Sequence, residues 1–261
     1  MESVDEATAR DGRALAPVGD TPWLRLARPG VGAVVRAAMR LRAGRLDATE
    51  RAWIGRVEAL RRELLASEAP IPGRHAEPRT VAGVVEAASM PQRHCQVLFQ
   101  LVRARNPRVG LELGTSIGLS SCYQGAALAV AARNSSTRGR LVTLEGSQAI
   151  AELARRNHRR LGLDHVEVVT GRFQQELPRV LEQLGERGER LGWAFVDGDH
   201  REEPTLGYFE RLAAAAEPGA ILAFDDIRWS AGMRRAWTAI ASDPRVAWAT
   251  NTTRLGVVVL G

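Results

Sequence analysis

The chain has 261 residues, of which 45% are hydrophobic and 25% are charged, as in globular proteins with room for one large α/β domain and an extension. It has only 2 cysteines, no signal peptide and no apolar run of the roughly 18 residues that span a bilayer, which predicts a cytoplasmic protein without a disulfide framework. The formal net charge is +6 and all 36 basic residues are arginine, but the basic clusters fall on predicted helix faces, so charge alone does not indicate nucleic-acid binding.

The first 80 residues are predicted to form a helical extension whose beginning is flexible. Apolar periodicity predicts helices over 31–42 and 49–67, and the proline-containing stretch 70–78 is typical of a linker or turn. The apolar face of the second helix is expected to pack over the mouth of the active site or against a partner subunit. The main domain is predicted to span residues 81–261.

The stretch 109–121, VGLELGTSIGLSS in one-letter code, organises the rest of the chain. An apolar run ends near Glu112, a glycine turn follows, and a helix begins near Ile117, which predicts a strand, a loop of phosphate size and a helix start. Gly114 and Gly118 allow a positive φ and a close approach of the backbone to a ligand. The exposed N–H groups of such a turn favour a carboxylate or a phosphate.

Strands and helices then alternate at regular spacing, which predicts a parallel sheet with right-handed crossovers. The chain ends in two strands joined by a short polar turn, which indicates a hairpin rather than another crossover. The predicted strands after the first cover 140–144, 166–169, 193–196, 220–224, 246–250 and 255–260. Two predicted helices separated at 89–91 precede the first strand, and later ones cover 147–161, 174–184, 203–216 and 230–241.

Acids at the predicted strand ends are the candidate functional groups, because ligands of an open α/β sheet bind outside the carboxyl ends of its strands. Glu145 ends the second strand, where a carboxylate can accept both hydroxyls of a ribose. Asp197 ends the fourth strand, and Asp225 and Asp226 end the fifth. If these two strands are neighbours, the three carboxylates converge, and an all-oxygen cluster suits Mg²⁺ better than zinc.

Asp199 and His200 follow the fourth strand directly. Either group, beside an acidic metal cluster, can take a proton from a metal-bound hydroxyl, so both are candidates for the catalytic base. A simpler alternative is that Asp199 and Asp226 cap the helices that follow them. Trp229 is a candidate for the wall of an apolar substrate pocket, and Ser230 is expected to cap the last long helix.

The spacing E-x-G-x-x-x-G, from Glu112 through Gly114 to Gly118, resembles the first motif of class I S-adenosylmethionine (SAM) dependent methyltransferases, and the terminal hairpin resembles the end of their sheet. The resemblance covers about residues 81–261 and implies an α/β, Rossmann-like fold with seven strands in the order 3-2-1-4-5-7-6. It also implies that the glycine turn binds the methionine end of SAM, with Ser120 at its carboxylate. The cofactor-binding residues that it implies are Glu112, Gly114, Thr115, Ser116, Gly118, Ser120, Glu145, Gly146, Gly171, Arg172, Phe173 and Asp197.

The end of the third strand departs from this family. Many members have an acidic residue after the glycine at this point, where it accepts the adenine amino group, whereas this chain has Arg172 after Gly171. We expect the adenine to be held by backbone groups and by stacking on Phe173 or on the guanidinium plane of Arg172.

The segments DGDHREEPTLGYFE and FDDIRWSAGMRRAW resemble divalent-metal-dependent O-methyltransferases of the catechol, caffeoyl-CoA and antibiotic-sugar types. In those enzymes an acid at the fourth strand and an Asp-Asn or Asp-Asp pair at the fifth bind the metal, which implies Mg²⁺ at Asp197, Asp225 and Asp226. The resemblance implies a general base at Asp199 or at His200. The lysine base of the catechol type is excluded because the chain contains no lysine.

We therefore expect SAM-dependent transfer of a methyl group to a hydroxyl of a small molecule, assisted by a divalent metal. Two alternatives stay open at this point: a SAM-binding protein without catalysis of its own, and an RNA methyltransferase, which only the basic charge suggests. The expected partner is a small hydroxylated substrate, and a homodimer is a further expectation. Nucleic acid and membrane are not expected partners.

Overall fold

A seven-stranded sheet lies at the centre of the structure, a computed structural model that describes residues 29–72, 79–135 and 138–261. The strands are β1 (Val109–Leu113), β2 (Arg140–Glu145), β3 (Val166–Thr170), β4 (Leu191–Val196), β5 (Ala216–Phe224), β6 (Val246–Asn251) and β7 (Gly256–Leu260). Their order in the sheet is β3-β2-β1-β4-β5-β7-β6, with β7 antiparallel to both neighbours and the other pairs parallel. The predicted fold class and strand order are confirmed.

The helices within the described residues agree with the predicted ones to within a few residues at each end. They are α1 (Pro29–Arg42), α2 (Ala48–Leu65), α3 (Val81–Ala88), α4 (Gln92–Arg105), α5 (Leu119–Ala131), α6 (Gln148–Leu161), α7 (Phe173–Glu186), α8 (Glu202–Ala215) and α9 (Ala231–Ala241). Because helices cover both faces of a mostly parallel sheet, the inner strands β1, β4 and β7 are buried on both sides.

Helix caps decide between two interpretations of the acids after β4 and β5. The Oγ atom of Ser230 accepts a hydrogen bond from the Met233 N–H at 3.1 Å, so Ser230 caps α9 as predicted. The residue at the N-cap of α8 is Arg201, which makes no side-chain cap bond. Asp199 and Asp226 therefore do not cap these helices, and that alternative is wrong.

Two apolar layers, one on each face of the sheet, hold the fold together. Successive strand residues point to opposite faces, so Trp193 packs with α4 and α5 on one face while Ala194 packs with α7 and α8 on the other. Inside the first layer the Trp193 indole N–H donates to Gln124 Oε1 at 2.7 Å, so this buried donor is paired.

The N-terminal helices share this core. Ile54 and Val57 on the apolar face of α2 are buried in the same layer as Leu98 and Tyr123, and α2 packs against α3, α5 and α6. The prediction that this face covers the active-site mouth or a partner subunit is wrong, because the protein's own helices bury it. Residues 1–28 and 73–78, which include the predicted flexible beginning and most of the predicted linker, lie outside the described residues. The division of the chain at residue 80 stays a prediction.

Cys95 and Cys122 are buried free thiols. Burial raises the pKa of Cys95 to about 12, so its thiol stays protonated near neutral pH. No helix within the described ranges is long and apolar enough to cross a membrane.

The carboxyl ends of β1, β4 and β5 meet at one edge of the sheet. The Asp197 N–H donates to the Leu113 carbonyl at 2.8 Å, and the Asp225 N–H donates to the Val196 carbonyl at 2.9 Å. These backbone bonds fix the residues after the strands side by side. The sheet thereby brings together chemistry that is far apart in the chain.

Candidate active site

A cavity of about 630 Å³ opens at this edge of the sheet. The C-terminal part of α3 and the turn after it, from Glu86 to Pro91, line one part of its wall. We call two other parts the β1–β2 side, formed by Gly114, Ser116, Glu145 and Phe173, and the β4–β5 side, formed by Asp197, Gly198, Asp199, His200, Asp226, Trp229 and Arg254.

The glycine turn brings backbone to the β1–β2 side. Gly114 has φ +104°, and a Cβ atom there would lie 1.9 Å from the Asp197 carbonyl oxygen, so no larger residue fits. Ser116 also has a positive φ, +48°. At Gly118, with φ +88°, a Cβ atom would lie 2.8 Å from His158 Nε2. The turn can therefore form only with glycine at both positions.

Glu145 is held by backbone groups at the same wall. Its Oε2 atom accepts a hydrogen bond from the Ser116 N–H at 2.9 Å, and its Oε1 atom accepts one from the Ser147 N–H at 2.8 Å. Burial raises the pKa of Glu145, and these hydrogen bonds oppose the rise. Each oxygen keeps a further lone pair, so the carboxylate can accept two hydroxyl groups of a ligand.

Three of the residues expected at the cofactor lie beneath the turn instead of in the cavity wall. Glu112 is fully buried and accepts hydrogen bonds at 2.5 Å from both Gln124 and Thr143. The hydroxyl groups of Thr115 and Thr143 are 2.6 Å apart, and Ser120 also stabilises the Glu112 carboxylate. Burial raises the pKa of Glu112 to about 7. These residues support the turn from below, and their direct contact with a cofactor stays a prediction.

The residues after β3 fall into two groups. Phe173 lines the cavity and packs edge-on against Tyr208, with 6.0 Å between the ring centroids. Arg172 and Gly146 are exposed near this side of the site, and Gly171 has φ +154°. Of the two stacking partners proposed for adenine, Phe173 is the one in the cavity wall.

The acids of the β4–β5 side converge as predicted, and an arginine joins them. Arg254 Nε lies 2.7 Å from Asp225 Oδ1, and its Nη2 lies 2.6 Å from Asp225 Oδ2. Both oxygens of Asp226 lie 3.3 Å from nitrogens of the same guanidinium. Asp197 stands beside this group with 16% of its side chain exposed. Arg254 therefore contacts all four oxygens of the Asp225–Asp226 pair.

Burial and mutual repulsion shape the protonation of these groups. Burial, and then the negative charges of Asp225 and Glu112, raise the pKa of Asp197 well above its usual value. Burial and Asp225 also raise the pKa of Asp226, and Arg254 opposes that rise. Hydrogen bonds to Asp225 raise the pKa of Arg254, so the guanidinium stays charged at any working pH.

The residues do not fit the Mg²⁺ site that the sequence predicted at Asp197, Asp225 and Asp226. A divalent cation needs carboxylate oxygens that are free to bind it, and Arg254 already contacts those of Asp225 and Asp226. A metal bound there would also stand beside the full positive charge of the guanidinium. Among residues 29–72, 79–135 and 138–261, no group of three or more His, Cys, Asp or Glu side chains is arranged to hold a metal ion.

The two base candidates have different surroundings. Asp199, with φ +52°, accepts hydrogen bonds from Arg201 Nε at 2.5 Å and from Arg201 Nη2 at 2.9 Å, and Tyr208 donates a third at 3.3 Å. The Arg201 guanidinium lowers the pKa of Asp199, which makes it a weak base. His200 Nε2 instead lies 3.7 Å from Asp197 Oδ1 and 3.8 Å from Asp226 Oδ2. The imidazole therefore faces two carboxyl groups in the cavity wall.

Arg254 is the residue that the sequence did not single out. No motif marks it, since it lies in the polar turn of the terminal hairpin. The signal lies in the topology: β7 runs antiparallel to β5, and Gly256 at its start pairs with Phe224 at the end of β5. Residues just before β7 must therefore lie beside the acids just after β5.

Comparison with known proteins agrees with this geometry. Residues 111–227 match the family described as a methyltransferase domain. Catechol O-methyltransferases of Niastella koreensis and Mycobacterium tuberculosis are 32% identical over 133 residues and 31% identical over 148 residues. These alignments cover 51% and 54% of this chain, and 53% and 60% of the relatives, which is less than two thirds of their own length.

A solved O-methyltransferase structure from Bacillus cereus, in complex with SAH, is 25% identical to this chain. The match covers 83% of this chain and 92% of that one, with a TM-score of 0.52. The sheet order, the glycine turn after β1 and the family match over 111–227 point the same way. Residues 111–227 and the sheet around them are therefore similar to class I, SAM-dependent methyltransferases.

Proposed function

We propose that this chain transfers a methyl group from SAM to a hydroxyl oxygen of a small organic molecule. The observation that carries the proposal is one cavity whose wall joins the Gly114 turn and Glu145 to His200 and the acids beside it. The similarity to catechol O-methyltransferases and to an O-methyltransferase structure with SAH supports this reaction class.

The β1–β2 side is suited to a nucleoside with an amino-acid tail. Bound SAM supplies an electrophilic methyl group on a sulfonium. The backbone of the Gly114 turn and the start of α5 favour a carboxylate, and the Glu145 oxygens can accept two ribose hydroxyls. Phe173 offers an apolar face to adenine.

His200 is the group that we propose as base. Its imidazole takes the proton from the substrate hydroxyl, the oxygen forms a bond to the methyl carbon, and the carbon–sulfur bond breaks with its electron pair staying on sulfur. Asp197 Oδ1 and Asp226 Oδ2, at 3.7 and 3.8 Å, stabilise the imidazolium until its proton passes to solvent. Holding the hydroxyl beside the methyl group provides the remaining rate gain. No step is routed through a divalent cation.

Trp229 indicates the substrate class. Its side chain is 73% exposed although it is a large aromatic residue, and it forms part of the cavity wall. An exposed indole beside a polar pocket provides a flat apolar surface for part of a ligand. We therefore propose a substrate with a planar or apolar body, and catechols are the first class to test.

The experiment is a transfer assay with methyl-labelled SAM over a panel of catechols, other phenols and aliphatic alcohols, with RNA as a separate arm. We expect label in at least one small hydroxylated compound, and none after Glu145→Ala and His200→Ala are combined. SAM binding by calorimetry without transfer to any panel member would instead favour a binding protein without catalysis. Label in RNA, with salt-dependent RNA binding, would favour the RNA methyltransferase. The homodimer stays a prediction, which light scattering tests by measuring the molar mass in solution.

A further inference from the structure

Arg254 is built into the β4–β5 side rather than resting on its surface. Its carbonyl oxygen accepts a hydrogen bond from the Ile227 N–H at 3.1 Å, which ties the hairpin turn to the loop after β5. The Thr252 hydroxyl accepts a bond from the Leu255 N–H at 2.9 Å and closes the turn itself. The main chain on both sides of Arg254 is therefore fixed.

Breaking the pair between Arg254 and Asp225 would destabilise the fold. The Asp225 side chain is 0% exposed, and a buried carboxylate without a partner is strongly destabilising. Arg254 contacts it through two nitrogens, in the forked geometry in which arginine binds a carboxylate most strongly. The positive charge required by the acidic pair is thus part of the polypeptide.

One donor group of Arg254 remains available. Nε and Nη2 bind the two aspartates, whereas Nη1 makes no hydrogen bond with the described residues. The side chain is 34% exposed and lines the cavity together with His200 and Trp229. A fixed N–H donor at this wall can receive an oxygen that becomes negative as it loses its proton.

We propose that the Arg254 guanidinium is the resident cation of this site, where it neutralises the Asp225–Asp226 pair in place of a divalent metal and donates from Nη1 to the substrate oxygen beside His200. The first part stands on the geometry alone, and the second rests on the proposed methyl transfer. As His200 takes the proton, the charge that develops on oxygen is met by a charge-assisted N–H···O bond. The reaction then needs no added cofactor besides SAM.

The first test measures cation binding without any turnover. Mn²⁺ is titrated into the full chain, and free Mn²⁺ is followed by electron paramagnetic resonance. We expect the wild type and the exposed control Arg228→Gln to leave Mn²⁺ free, whereas Arg254→Gln binds it at the released carboxylates. Binding of Mn²⁺ by the wild type that disappears in Asp225→Asn would overturn the proposal.

The second test uses a substrate identified in the panel. Turnover of chelator-treated enzyme should stay within about twofold of the untreated rate. The double variant Arg254→Gln/Asp225→Asn removes both charges together and so avoids a buried unpaired acid. It should lose on the order of 10²-fold in kcat with SAM affinity unchanged. Arg254→Lys should recover part of the loss. Loss of activity on chelation that Mg²⁺ restores would contradict the inference. If no panel member is methylated, the proposed function fails while the Mn²⁺ result still decides the role of Arg254.

Discussion

The β1–β2 side and the β4–β5 side of the cavity are built by different means. On the β1–β2 side, the groups are backbone amides of the Gly114 turn and Glu145, whose carboxylate is oriented by the Ser116 and Ser147 amides. On the β4–β5 side, they are charged side chains that orient one another: Asp197, His200, Asp226 and Arg254. The first side depends on local chain conformation and the second on long-range pairing.

The two sides should respond differently to substitutions. On the β1–β2 side, the backbone donors orient the acid, and this arrangement does not change when neighbouring groups gain or lose protons. The β1–β2 side is therefore fixed once the turn forms. The β4–β5 side contains three acids and two basic groups in one wall, where removing one charge changes the balance for the rest. Substitutions on the two sides should therefore have separable effects on cofactor affinity and on turnover.

The largest expected effect is on turnover, from the β4–β5 side. His200→Ala should reduce kcat on the order of 10²- to 10⁴-fold with SAM affinity unchanged, because the proton acceptor is lost and the cofactor is bound elsewhere. Asp199→Asn should cost much less, because Arg201 already holds that carboxylate. Steady-state kinetics and calorimetry on both variants check this. A greater loss in Asp199→Asn than in His200→Ala would assign the base to Asp199.

The next effect concerns the support of the glycine turn and depends on pH. Burial lowers the pKa of His158 to about 4 from 6.5, and its Nε2 lies 2.8 Å from the Ser121 hydroxyl oxygen. Between these values the unfolded chain binds a proton that the folded chain does not, so the free energy of unfolding falls with falling pH, by up to about 3 kcal/mol. This contribution of neutral His158 to the free energy of unfolding is complete above pH 6.5 and is lost as the pH falls through 4.

Urea unfolding at several pH values measures this dependence. His158→Gln should flatten the profile between pH 6.5 and 4. His165→Gln is the matched control, because His165 is less buried and burial lowers its pKa in the same direction. It should flatten the profile less. Equal profiles for the wild type and His158→Gln would mean that His158 is not held neutral by the fold.

A smaller effect is expected on cofactor affinity from the β1–β2 side. Glu145→Ala should weaken SAM binding by about 1–3 kcal/mol, the range for a charge-assisted hydrogen bond that loses its acceptor. Glu167→Ala, an exposed acid on the neighbouring β3, is the control and should leave affinity unchanged. Calorimetry with SAM and with NAD measures both. Unchanged SAM affinity in Glu145→Ala, or tight NAD binding, would contradict the assignment of this side.

The smallest effect is expected at the rim of the β4–β5 side. Trp229→Ala should lower kcat/KM for an aromatic substrate through a higher KM, by about 1 kcal/mol, because one stacking surface is lost. Trp229→Phe should keep most of the affinity, and neither variant should change SAM binding. If kcat falls while KM stays constant, Trp229 acts on the chemistry and not on substrate affinity.

Local patterns in the sequence predicted most of the fold. Apolar periodicity, turn residues and the glycine spacing gave helices and strands close to those observed, and the resemblance to class I methyltransferases supplied the strand order. Patterns of this kind depend on near neighbours in the chain, which is why they survive without tertiary information. The destination of the α2 apolar face was predicted wrongly, because amphipathicity indicates that a face is buried and not against what.

Local patterns in the sequence place the functional residues at the strand ends: the Gly114 turn, Glu145, Asp197 and the Asp225–Asp226 pair each end or follow a strand that its own pattern defines. How these residues are charged and paired depends on the folded sheet. The antiparallel return of β7 beside β5 brings Arg254, 28 to 29 residues away in the chain, onto both aspartates. A charge balance depends on distances between side chains, and those distances exist only after the sheet has formed.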